Sequence, residues 1–226
     1  MDWSFPINAS TQGIVIDNLF WIIFWMTAVA FVIVEGGVIW FMWRYRSREG
    51  HKATYTHGNT TAEIIWTAIP ALAMIFLGIY SGAAWADIRG LDSFPDDALT
   101  ISVVAKQFEW NITYPGADLV LGNGDDFTIR NRFEFPMGEP VIVRLESEDV
   151  IHSFFIPELR VKQDAVPGMT IPIWFEATQA GEFQIACAEL CGLGHYRMRA
   201  RVVVHDRASF DSWYRDRSGA VQTAAN

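Results

Sequence analysis

Two long apolar runs near the N-terminus constrain this chain more than any other feature. Ile14 to Trp43 is a 30-residue stretch in which only Asp17 and Glu35 are charged, and Ile64 to Trp85 is a 22-residue stretch with no charge. A helix over the first run is about 45 Å long, against a hydrocarbon core of about 30 Å. It is therefore expected to tilt or to project one end from the bilayer. The first run is too long, and starts too far from a basic N-terminal region, for a cleavable signal peptide. The chain is expected to carry an N-terminal segment and two-helix membrane anchor over residues 1–86, with helices at about 14–43 and 64–85 and a loop at 44–62.

Charge sets the expected orientation of that anchor. Arg44, Arg46, Arg48 and Lys52 are the only Lys or Arg residues before position 87, and all four lie between the two apolar runs. Positive charge marks the cytoplasmic loop, so both termini are expected on the outer side. The anchor thus implies a lipid bilayer as one partner.

From Asp87 onward the composition changes. Short β-rich runs recur at Thr100–Ala105, Phe108–Tyr114, Val141–Glu146, Ile171–Ala177, Phe183–Ala186 and Arg199–His205, punctuated by Pro115-Gly116, Gly122-Asn-Gly124 and Pro167-Gly168. That spacing predicts a β-sandwich or barrel over an outer domain of 87–226. The polar end, Arg215 to Asn226, is expected to fray. The outer domain holds 21 acidic and 13 basic residues, a net of −8. Solubility alone explains an acidic surface, and electrostatic steering of a basic partner is the sharper reading. No nucleic-acid partner is expected.

The chemistry is concentrated in Cys187-Ala-Glu-Leu-Cys191-Gly-Leu-Gly-His195-Tyr-Arg-Met198, which contains both cysteines of the chain. Thiolate and thioether are soft ligands that favour copper, and imidazole suits copper as well. A one-copper site needs a single Cys, so a second sulfur allows two metals to be bridged. His152, in Asp149-Val-Ile-His152-Ser-Phe-Phe, is a second imidazole at a distance. Other uses of these residues remain open on spacing alone. A lone Cys pair outside the cytosol is by default a disulfide, and Gly192 after the second Cys fits a closed loop. Two Cys and two His complete a zinc site, although zinc has no use for Met198. A redox or copper-delivery protein can also use a Cys pair with a distant His.

The flanking sequence favours copper. Ser147-Glu-Asp-Val-Ile-His-Ser-Phe-Phe-Ile-Pro-Glu-Leu, Lys162-Gln-Asp-Ala-Val-Pro-Gly168, the Cys-rich segment and Ala62-Glu-Ile-Ile-Trp-Thr-Ala-Ile-Pro70 together closely resemble subunit II of haem-copper cytochrome c oxidases. The resemblance runs from about residue 14 to residue 205. It implies a cupredoxin-like sandwich behind a two-helix transmembrane hairpin. It also implies a binuclear copper centre (CuA) bound by His152, Cys187, Cys191, His195, Met198 and the backbone carbonyl of Glu189. The Glu189 side chain is implied to reach a magnesium site shared with subunit I. Haem belongs to that partner subunit, with subunit III beside it and a c-type cytochrome as donor. The expected setting is a bacterial-type inner membrane with the copper domain on the periplasmic side. A metal-free quinol oxidase scaffold, a nitrous oxide reductase and a copper-delivery protein are the alternatives. They fit less well because every ligand position is filled here, the second enzyme's catalytic propeller is absent, and delivery needs neither two spans nor the Glu63 motif.

Four further residues stand out. Glu63 lies at the inner end of the second apolar run, where a capped helix start at Thr60 or Thr61 also accounts for an acid. The resemblance implies the mouth of a proton pathway into subunit I there. Gln107-Phe108-Glu109-Trp110 stands where the family usually carries Gln-Trp-x-Trp. Phe108 thus replaces the Trp at which electrons usually arrive, with Trp110 as the other aromatic able to take that role. Glu35, beside Gly36-Gly37, has no assigned role.

Overall fold

The computed structural model describes residues 5–224, which divide into two units: 16–87, and 88–224 together with the residues up to Val15. In the first unit the two apolar runs are helices, α1 (Thr11–Arg44) and α2 (Thr60–Arg89). Their most apolar stretches have mean hydropathies of 2.2 and 1.9 and bury nothing within the chain. Large side chains such as Trp25, Phe31, Val32 and Ile33 are therefore largely exposed. Apolar surface on that scale belongs in lipid or against another protein.

Both helices begin about a turn earlier than hydrophobicity alone suggests, because polar caps start them. Ser10 Oγ accepts the Gly13 N–H at 3.0 Å, and Asn59 Oδ1 accepts the Ala62 N–H at 3.1 Å. Each satisfies an amide that the first turn leaves without a helical partner. Asn59, rather than Thr60 or Thr61, is thus the cap of α2, with both threonines already inside the helix. Pro70 lies within α2 and leaves one turn short of a backbone donor.

The second unit contains ten strands: β1 (Leu99–Lys106), β2 (Glu109–Tyr114), β3 (Phe127–Arg130), β4 (Arg132–Pro136), β5 (Pro140–Ser147), β6 (His152–Ile156), β7 (Val161–Ala165), β8 (Ile171–Glu176), β9 (Gly181–Cys187) and β10 (Arg199–His205). They form two five-stranded sheets, in the orders β3-β2-β1-β5-β8 and β4-β10-β9-β6-β7. β1 runs parallel to β5 and β4 parallel to β10, while the other pairs are antiparallel. Alternation puts Ile101, Val103 and Ala105 of β1 on the same buried face as Trp110, Ile112 and Tyr114 of β2. The opposing sheet contributes Phe133, Phe135, Phe154, Ile185 and Val202. Aromatic edges knit the layers together, with Trp110 and Phe154 centroids 5.7 Å apart and Phe135 and Phe175 5.3 Å apart.

Two segments differ from expectation. The N-terminal residues, grouped on sequence with the anchor, run along the β unit. Ala9 donates to the Glu158 carbonyl at 2.8 Å and accepts from the Thr178 N–H at 2.8 Å, and Ser10 bridges Ala177. The tail expected to fray from Arg215 is instead helix α3 (Arg207–Ala224), with 225–226 outside the described residues. Asp206 caps it by accepting the Ser209 N–H at 3.0 Å. Phe210, Trp213 and Tyr214, spaced to share one helix face, pack among themselves, and the last two also cover Tyr114 and Phe127. The Tyr214 hydroxyl then donates to the Pro115 carbonyl at 2.6 Å.

Candidate metal centre

Strand alternation brings the first two donor residues together. His152 opens β6 and Cys187 closes β9, and the β6–β9 ladder pairs Phe154 with Cys187. Both side chains point inward at one end of the sandwich, with His152 fully buried. The chain then makes an excursion over 188–198 and returns into β10. The Cys187 N–H donates to the Met198 carbonyl at 3.1 Å, so the two ends of the excursion meet. A short helical turn, His195–Arg197, rotates His195 back toward the cysteines.

The result is a continuous cluster of donors. Cys187 Sγ lies 3.8 Å from Cys191 Sγ, 3.9 Å from His152 Nδ1 and 3.2 Å from the Glu189 carbonyl. Cys191 Sγ lies 3.6 Å from His195 Nδ1 and 3.7 Å from Met198 Sδ. The donor atoms of His152, Cys187 and Cys191 are all within 4.8 Å of one another. Both cysteines are free, and their sulfurs stand nearly twice as far apart as the roughly 2.05 Å of a disulfide. At metal–thiolate bonds of about 2.3 Å, one ion can touch both sulfurs at this separation. Met198 is 2 % exposed, so its thioether is spent inside the cluster rather than on the surface. The donor set is soft and dry, which suits copper.

Electrostatics within the cluster favour a cation. Burial, then the neighbouring Cys187 sulfur, push the Cys191 thiol up to about 12. A bound metal ion reverses that balance, since it takes the place of the thiol proton. On the other side of His152, Nε2 lies 2.8 Å from Asp149 Oδ1. Partial burial raises the Asp149 carboxyl, but bonds from His152 and from the Gln107 and Val150 amides outweigh it and hold the group below the usual carboxylate range. The carboxylate therefore stays charged and keeps the imidazole in one orientation, with Nδ1 facing the sulfurs.

The two aromatic candidates occupy different places. Trp110 is fully buried, its ring 6.2 Å from that of His152. Phe108 is half-buried against the donor loop, where a Cβ on Gly194 would lie 2.4 Å from its ring. Glu189 points its side chain outward, so only its carbonyl faces the cluster. Glu63 is exposed in the first turn of α2, in the other unit. Gln107, which bonds both to Asp149 and to the Cys191 carbonyl, is a site residue that the motif reading passed over. Its only sequence signal is its place directly before Phe108.

Fold and site together define a cupredoxin-like domain behind two apolar helices long enough to span a membrane, with a cluster of soft metal-binding donors at one end. The family model described as cytochrome c oxidase subunit II, periplasmic domain, matches residues 99–205, and the one described as the transmembrane domain of the same subunit matches residues 1–84. Cytochrome c oxidase subunit 2 of Thermostichus vulcanus is 33% identical, over 97% of this chain and 80% of its own length. An alternative cytochrome c oxidase subunit 2 of Bradyrhizobium diazoefficiens is 32% identical, over 93% of this chain and 82% of its own. Among solved structures, the periplasmic domain of cytochrome oxidase subunit II of Bradyrhizobium japonicum superposes with a TM-score of 0.50 at 29% identity, covering 56% of this chain and 98% of that one. The chain belongs to the cytochrome c oxidase subunit II family and is thereby a subunit of a haem-copper oxidoreductase.

Proposed function

We propose that this chain receives the electrons that its oxidase uses. His152, Cys187, Cys191, His195, Met198 and the Glu189 carbonyl hold a binuclear copper centre, and electrons pass from there to haem in subunit I, where oxygen reduction is coupled to proton translocation. When bound, the copper pair supplies a one-electron carrier. The observation that carries this reading is the 3.8 Å separation of two free sulfurs, each with its own imidazole within 3.9 Å. Two thiolates so placed can each face two metals, a use that neither a disulfide nor a single-metal site makes of them.

The chain's own residues supply rigidity. A carrier that changes charge quickly must change shape little, and here His152 and Cys187 sit at strand ends, while the excursion that presents the other donors is closed at its base by the bond from the Cys187 N–H to the Met198 carbonyl. Asp149 holds the His152 ring, and the folded domain keeps water from Cys191 and Met198. Phe108, the half-buried aromatic over the donor loop, is the contact for a docked donor, whereas Trp110 lies too deep to touch one. The donor is a c-type cytochrome or an equivalent carrier, attracted by the acidic outer domain.

The remaining roles follow from the family. Glu63 opens a proton pathway into subunit I, and the outward Glu189 side chain contributes to a magnesium site shared with that subunit. Subunit III completes the core. The loop 44–62 faces the cytoplasm of a bacterial cell, and residues 88–224, with the N-terminal strap against them, form the periplasmic domain behind the anchor of 16–87. Single replacement of Cys187 or Cys191 by Ser in the assembled oxidase tests the central point. Loss of electron transfer from the donor together with loss of bound copper supports it. Either variant retaining two coppers per chain would count against it.

A further inference from the structure

We infer that Gln107, on the turn between β1 and β2, is a positioning residue that ties together the two loops carrying the metal donors; the inference rests on the copper reading above. The Gln107 N–H donates to Asp149 Oδ2 at 2.7 Å, and Asp149 Oδ1 lies 2.8 Å from His152 Nε2. The Gln107 side-chain Nε2 donates to the Cys191 carbonyl at 2.5 Å. One residue thus reaches both the segment that presents His152 and the excursion that presents Cys191, His195 and Met198.

The excursion has a particular need for such a tie. Its base is closed where the Cys187 N–H meets the Met198 carbonyl, and Ala188 is anchored to the Ser153 carbonyl at 3.0 Å. Beyond that, the bonds from the His195, Arg197 and Met198 amides return to Gly192, Gly194 and His195, within the excursion itself. Local turns fix the shape of a loop but not its position on the sandwich. The bond from Gln107 reaches the crown of the excursion from a different sheet, in which β1 and β2 are neighbours.

Glycines on the excursion make this approach possible. A Cβ at Gly192 would lie 2.7 Å from Gln107 Nε2, and one at Gly194 would lie 2.4 Å from Phe108 Cδ2. A Cβ at Gly194 would displace the Phe108 ring and one at Gly192 the Gln107 amide, and Gly192 has a φ of +132° that other residues rarely adopt, so the turn as it stands seats on bare backbone. Phe108 packs against the crown while Gln107 bonds it, and the two residues together fix the separation of the donor loops. Gln107 does not touch the metal. It acts through the Cys191 main chain and through Asp149.

The test replaces Gln107 in the full chain, within the purified oxidase. Gln107→Met keeps the length and removes the amide donor, while Lys106→Met, at the adjoining end of β1, removes the exposed pair with Glu148 and a weaker attraction to Glu109 and Asp149 but no hydrogen bond to either donor loop. Two readouts are taken, the copper hyperfine pattern by electron paramagnetic resonance and the rate of copper loss to a chelator. The expected result for Gln107→Met is two bound coppers that have become inequivalent and are lost at least ~10-fold faster, the scale seen when a residue supporting a metal ligand is removed. Lys106→Met is expected to match the parent in both. Should Gln107→Met fail to assemble, Gln107→Asn, one methylene too short to reach Cys191, is read in the same way. A Gln107 variant with the parent's hyperfine pattern and chelator rate overturns the inference. A parent oxidase without a two-copper signal overturns instead the copper reading beneath it.

Discussion

His152 is held from both sides: its Nε2 lies 2.8 Å from Asp149 Oδ1 and its Nδ1 lies 3.9 Å from Cys187 Sγ. The carboxylate selects which nitrogen faces the sulfurs, and it does so from a position only three residues away, across the turn that leads into β6.

Removing that carboxylate should loosen the metal without unfolding the sandwich. Asp149→Leu is expected to lower copper affinity ~10- to 100-fold, measured by competition with a chelator. The pH dependence has a definite sign. A carboxyl held below its ordinary value supports His152 at neutral pH and through the usual carboxylate range, and the support fades only as pH falls through the lowered value. The parent should therefore keep its copper spectrum to lower pH than Asp149→Leu.

Tyr114 makes a separate prediction about the fold. Its hydroxyl donates to the Glu134 carbonyl at 2.9 Å and accepts the Glu134 N–H at 2.7 Å, and burial pushes the phenol far above its ordinary range. Tyr114→Phe leaves both main-chain groups without their partner in a dry interior, which costs ~1–3 kcal/mol. Denaturation of the full chain should show that loss, while the copper spectrum stays as in the parent. A changed spectrum would show that the two ends of the domain are coupled.

Glu63 is the corresponding test for the membrane unit. It lies in the first turn of α2, displayed outward behind the Asn59 cap. Glu63→Ala in the oxidase should slow oxygen turnover and leave the copper signal unchanged. A variant with full turnover would leave the acid as a favourable charge at a helix start and nothing more.

The acidic outer domain predicts how turnover responds to salt. With 21 acidic residues against 13 basic ones from position 87 onward, a basic cytochrome should be drawn in at low ionic strength. Turnover with such a donor should fall steeply between about 0.01 M and 0.15 M salt, as the screening length drops from about 30 Å to about 8 Å. A flat response would remove steering from the account.

Much of the molecule was legible before its structure. The anchor was, because no soluble core accommodates runs like 14–43 and 64–85. The meeting of Cys187, Cys191, His195 and Met198 was too, because they fall within twelve residues. What stayed hidden depends on contacts between distant residues. β6 begins with a metal-type His and β7 is the polar sequence Val-Lys-Gln-Asp-Ala, so neither has the alternation that marks a half-buried strand. β3 and β4 are four and five residues long and separated only by Asn131, too short for a periodic signal. The N-terminal strap is held by main-chain bonds and by side chains far along the sequence, such as Ser10 Oγ donating to the Leu159 carbonyl and Arg160 donating to the Pro6 carbonyl, which no local pattern reveals. α3 did leave a mark, in Phe210, Trp213 and Tyr214, but its polar second half obscured it. Gln107 was visible only as the first residue of Gln107-Phe108-Glu109-Trp110, because its bonds to Asp149 and to the Cys191 carbonyl join residues far apart in the chain.

The proposed carrier is built from two coppers sharing two sulfurs. The most direct measurement is electron paramagnetic resonance with metal analysis on the purified oxidase containing the full chain. The expected result is two coppers bound to this chain, with one unpaired electron split equally by two equivalent copper nuclei in the oxidised state. A single-copper hyperfine pattern, or no copper on this chain with Cys187 and Cys191 joined in a disulfide, would contradict it.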